Sequence, residues 1–92
     1  MTPSEAEAYA LKVLTWMASE PDILGQFLGA TGLALTDLTD AAAGSGFFLG
    51  VIDFVMQRDD WVIAAAAEIG LRPEDLQSVR IALPGGAEAH WT

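Results

Sequence analysis

The chain has 92 residues, 52% of them apolar and 18% charged, with 13 acidic side chains against 4 basic ones and a formal net charge of −9. Such a surface repels DNA, RNA and anionic lipid, whose binding depends on Lys and Arg displacing counterions. The apolar content excludes a disordered acidic tail, and the absence of cysteine excludes disulfides and thiolate zinc sites.

The first segment, Thr2-Pro3-Ser4-Glu5-Ala6-Glu7, lacks the positive flank of a signal peptide. Ile23 to Thr36, the longest uncharged run, is too short to span a bilayer and contains three glycines. The expectation is therefore a cytoplasmic protein with no membrane contact. It would form one domain over residues 1–83 and a loose tail over 84–92, with a stability of about 5–9 kcal/mol.

Taken in order, Ser4 and Glu7 have the spacing of a capping box, which opens a helix from about Ser4 to Ser19. Pro21 separates it from a second helix, Asp22 to Thr31, which Gly32 closes in left-handed conformation with Leu33 packing behind. Thr36 caps a short third helix reaching Ala43, and Gly44-Ser45-Gly46 turns the chain. The next segment, 46–57, is apolar except at Gly46, Gly50, Asp53 and Gln57, which fall on one narrow line of a helix. It also carries three of the four phenylalanines, so it is expected at the centre of the fold. A fifth helix runs from Asp59 or Asp60 to Ile69, ended by Gly70 and Leu71, and a sixth from Pro73 to about Leu83. The fold class is all-α, a compact bundle of about six helices.

A shift of 38 residues aligns Trp16 with Phe54, Asp22 with Asp60, Gly32-Leu33 with Gly70-Leu71, and Asp37-Leu38 with Asp75-Leu76. The polar line Ala8, Lys12, Thr15 and Ser19 then falls on Gly46, Gly50, Asp53 and Gln57. This suggests an internal duplication of a three-helix unit, the two long helices packing together. Gly25, Gly29 and Gly50 would together cost about 2–3 kcal/mol relative to alanine, so close helix–helix approach is expected to offset them.

No catalytic constellation stands out. The carboxylate pairs Asp37…Asp40, Asp59-Asp60 and Glu74-Asp75 lie at helix starts, where acidic residues favour the macrodipole without any chemistry. No calcium loop and no phosphate-cradling loop is present. Ala66, Ile69, Gly70, Leu71, Leu76 and Val79 have helix-turn-helix spacing, but Glu74 and Asp75 would meet the phosphates. The lone histidine, His90, stands beside Trp91 near the end, with nothing to orient it as a base.

Trp16-Met17, Ile23-Leu24 through Phe27-Leu28 to Thr31-Gly32-Leu33, Val51-Ile52-Asp53-Phe54, Gly70-Leu71-Arg72-Pro73-Glu74 and Ala82-Leu83-Pro84-Gly85-Gly86 are distinctive in their order. Over roughly residues 5–86 the chain resembles a group of small bacterial helical proteins known only as a domain-of-unknown-function family. The resemblance implies an all-α domain and no activity, metal or cofactor. From the residues, the expected role is a non-catalytic protein–protein interaction or regulatory module. Its partner would be another protein or a second copy, met through a surface near Phe47, Phe48, Asp53 and Trp61. The alternative is a small-molecule or lipid binder with an apolar pocket between the two helical units.

Overall fold

A Pro at the first helical position decides where the chain begins to coil. Its fixed φ suits the helix and its missing N–H is not needed there. In the computed structural model, which describes residues 1–44 and 46–86, α1 accordingly spans Pro3–Ala18. The capping box is Thr2 with Glu5 and not Ser4 with Glu7. The Thr2 hydroxyl accepts the Glu5 N–H at 3.1 Å, and the Glu5 carboxylate accepts the Thr2 N–H at 2.8 Å. Ala6, Ala10, Val13 and Met17 form the fully buried face, while Lys12, Thr15 and Ser19 point to solvent as their spacing requires.

The helix α4, Phe47–Val55, buries Val51, Ile52, Phe54 and Val55 and turns Gly50 outward, with Asp53 half-exposed beside it. It packs on α1, as expected of the two long helices. The most extensive close packing, however, is along α1, which lies against α2, α4, α5 and α6, whereas α4 lies closely against α1, α3 and α6 and reaches α2 and α5 through aromatic rings. Length explains the difference: α1 has 16 residues and α4 has 9.

The remaining elements are α2 (Pro21–Thr31), a 3-10 turn (Leu35–Asp37) leading into α3 (Leu38–Ala42), α5 (Asp59–Ile69) and α6 (Asp75–Ala82). Pro73 and Glu74 stay in the turn before α6. The bounds of α2 and α5 coincide at the 38-residue shift, and so does their chemistry. Gly32 (φ 75°) donates to the Leu28 carbonyl and Gly70 (φ 80°) to that of Ala66. Asp37 accepts the Ala34 N–H at 3.0 Å, and Asp75 accepts the Arg72 N–H at 3.0 Å.

The elements of the described residues are all helices and close-packed, with a radius of gyration of 12.3 Å. That equals the value of about 12 Å for a compact chain of this length. All buried side chains among them are apolar. The core does not end at α6. Leu83 is buried, Pro84–Gly86 form a turn, and the Gly86 N–H reaches the Leu83 carbonyl at 2.9 Å. Arg80 holds this turn, pairing with Asp53 of α4 and donating Nη1 to the Gly86 carbonyl at 2.8 Å. A Cβ on Gly86 would lie 1.7 Å from the Arg80 carbonyl oxygen, so only glycine fits. Residues 87–92 of the expected tail, with His90 and Trp91, lie outside the described residues.

The glycines correct one expectation. A Cβ built on Gly25, Gly29 or Gly50 would meet nothing within 4 Å. No helix comes close there, and their helix-propensity cost is not offset by packing within the chain.

Candidate functional site

Three of the four residues singled out above fall on one aromatic chain. Phe48 meets Phe47 edge-on at 5.6 Å between ring centroids, and Phe47 meets Phe27 at 6.1 Å. Phe27 contacts Phe54 at 5.3 Å, and Phe54 stacks on Trp61 at 5.1 Å. Offset and edge-on pairs of this kind each add about 0.5–1.5 kcal/mol beyond area burial. The chain runs from half-buried Phe47 and Phe48 into the core, where Trp61 is 7% exposed under the Arg58 guanidinium. Phe47 and Phe48 thus border solvent, while the Trp61 ring is a core element. Asp53 lies apart from them, in the ion pair with Arg80.

Beside this aromatic chain lies an incompletely covered edge. In α2 only Phe27 is buried, and in the 3-10 turn and α3 no residue is. Leu24, Leu28, Leu33 and Leu38 are half-buried, and Leu35 is 62% exposed.

The recesses formed by the described residues include two beside α1 and α4. One of about 300 Å³ lies between Phe48 and Leu49 of α4, the Ala42–Gly44 loop and the Leu83-Pro84 turn. The larger, about 410 Å³, runs between α1 and α5 and is lined by Lys12, Thr15, Trp16, Ser19, Glu68 and Ile69. Sequence reasoning had the α1 side of this groove in hand as the polar line through Lys12, Thr15 and Ser19. Nothing in the spacing of that line shows which helix will stand opposite it.

Five of the acidic residues, Glu5, Asp37, Asp53, Asp60 and Asp75, act as caps or ion-pair partners. Hydrogen bonds from the Thr2 backbone and hydroxyl hold Glu5 below its ordinary pKa; the Arg58 guanidinium does so for Asp60, and the Arg72 guanidinium for Asp75. A general acid near neutral pH needs a shift in the opposite direction. Among the described residues no group of three or more His, Asp or Glu side chains could hold a metal, and no helix is long and apolar enough to cross a membrane. The Glu74-Asp75 turn does open α6 after Gly70, and Asp75 is tied to Arg72 there.

No curated protein and no solved structure matches the chain. A family model does, over residues 3–86, and its bounds take in every helix of the described residues, the Arg80-held turn and the two recesses above. The chain belongs to the family described as protein of unknown function DUF3572.

Proposed function

We propose that this protein is a small, non-catalytic interaction module whose partner covers the edge formed by α2, the 3-10 turn and α3. The observation carrying this reading is the contrast with the matching elements 38 residues on. Leu76 is fully buried where Leu38 is half-buried, and Val79 is fully buried where Ala41 is half-buried. On this reading the chain is an internal duplication in which the second copy completes the core on α1. The first copy keeps its leucines at the surface, beside Phe47 and Phe48 of the second copy, for another protein or a second chain. The capping and pairing roles of the carboxylates support an absence of catalysis.

Affinity capture of the tagged protein from its own cells, together with its size in solution, tests the reading. A partner or dimer recovered with the wild type should be lost with Leu35→Asp, a position exposed enough to leave folding intact. A monomer that captures nothing, or a complex indifferent to Leu35→Asp, would overturn it.

A further inference from the structure

The groove between α1 and α5 is built from the last turns of two helices: Thr15, Trp16 and Ser19 at the end of α1, Glu68 and Ile69 at the end of α5. A helix C-terminus carries roughly half a negative charge, which a basic residue in the last turn commonly answers. Neither helix has one. Arg72, the next base along the chain after α5, is held by Asp75. Glu68 adds a full negative charge and has no ion-pair partner among the described residues.

The hydroxyls extend the pattern. Thr15 donates to the Leu11 carbonyl at 3.0 Å and Ser19 to that of Trp16 at 2.6 Å, so both oxygens turn only lone pairs to a visitor. Apart from the Trp16 indole N–H, the one donor side chain left to a visitor along the groove is Lys12. It stands about 10 Å along α1 from Ser19, with its ammonium 5.5 Å from the Tyr9 ring centroid. Trp16 and Ile69 supply apolar surface between these ends.

We propose that this groove binds a small organic cation, a single ammonium on an apolar body. The ammonium lies among the Glu68 carboxylate and the Thr15 and Ser19 oxygens, and the body rests on Trp16 and Ile69. Lys12 repels a second positive charge at the far end, which selects monoamines over diamines. The field of a chain with net charge −9 raises the local concentration of cations. The volume of about 410 Å³ is within the range of small-molecule sites. The inference is independent of the α2–α3 edge, and its failure leaves that reading standing.

The test is a titration of the full chain with phenethylammonium, followed by amide NMR shifts, beside phenylacetate and a butanediamine. Saturable shifts are expected at Thr15, Trp16, Ser19, Glu68 and Ile69, with no saturation by phenylacetate. Glu68→Gln, at an exposed position that leaves the fold intact, should weaken phenethylammonium about tenfold, the worth of one charged hydrogen bond. Lys12→Ala should leave phenethylammonium as tight or tighter and narrow its lead over the diamine. Phenylacetate binding equally well, an unchanged affinity in Glu68→Gln, or no shifts at these residues would each overturn the proposal.

Discussion

The two halves of this chain share their helical order and part company in burial. Val13 and Val51, 38 residues apart on the two long helices, are both fully buried, and Trp16 and Phe54 are 7% and 8% exposed. Beyond the long helices burial diverges, although Phe27 and its twin Ala65 are both buried. The elements α5 and α6 each bury two or more side chains, while α2, which also rests on α1, buries only Phe27 and lays half-buried Ile23, Leu24 and Leu28 against the core, and α3 meets α4 without a buried residue. Gly-Leu and Asp-Leu pairs set the same caps in both halves, because a left-handed glycine and a carboxylate on a backbone N–H are local devices. Burial is not local. It depends on which helix arrives opposite, and α1 has only so much circumference.

The most severe break of this comparison is Phe27→Ala. It removes the single buried anchor of α2 and two edge-on ring contacts, and should cost about 3–5 kcal/mol in urea unfolding. Before that mutation is made, amides of α2 and α3 should already exchange with solvent at lower opening free energy than those of α5 and α6. Equal protection in the two halves would dissolve the distinction.

A matched pair of leucines sharpens it. Leu76→Ala should cost about 2–5 kcal/mol, since the side chain is fully buried and a cavity is left. Leu38→Ala, the same change at the twin position, should cost about 1 kcal/mol, because that side chain is already partly exposed to water. Equal losses, measured by the same unfolding transitions, would mean that α3 is covered in solution, most simply by a second copy.

Element order was legible in the sequence, and the reasons vary by element. Gly32 and Gly70 announced the ends of α2 and α5 because few other residues accept a positive φ. The start of α1 was misplaced by two residues because Ser4-x-x-Glu7 and Thr2-x-x-Glu5 are both capping boxes by pattern, and only the proline between them breaks the tie. Trp61 was placed with the partner surface because nothing local in the sequence shows what its ring packs on. The Phe54 stack that buries it is a tertiary contact. The α1–α5 groove has the same origin: Lys12 and Glu68 are 56 positions apart in the chain.

Gly50 offers a smaller effect of opposite sign. Close approach would make any side chain there destabilising, but its surroundings are open. Gly50→Ala should therefore stabilise by about 0.5–1 kcal/mol through helix propensity alone. Gly25→Ala and Gly29→Ala, equally open, should behave alike unless a partner backbone lies against α2. In that case binding would weaken while the isolated protein grew more stable.

The smallest effect separates the two Asp-Leu turns. Asp75 holds the Arg72 guanidinium as well as its N–H, whereas in the first half Ala34 stands where Arg72 would be. The guanidinium lowers the Asp75 pKa, so the folded protein binds that proton more weakly than the unfolded chain does. The charged form thus contributes stability that is fully present above the ordinary aspartate range and lost as pH falls through the depressed value. Asp75→Asn keeps an acceptor for the Arg72 N–H and removes the charge. The stability gap between wild type and variant should accordingly be widest near neutral pH and close on acidification. Taking the difference cancels the relief of repulsion among the other carboxylates, which acid brings to both proteins equally. A gap that stayed constant with pH would show that the turn is held by its backbone geometry and that the ion pair adds nothing the first half lacks.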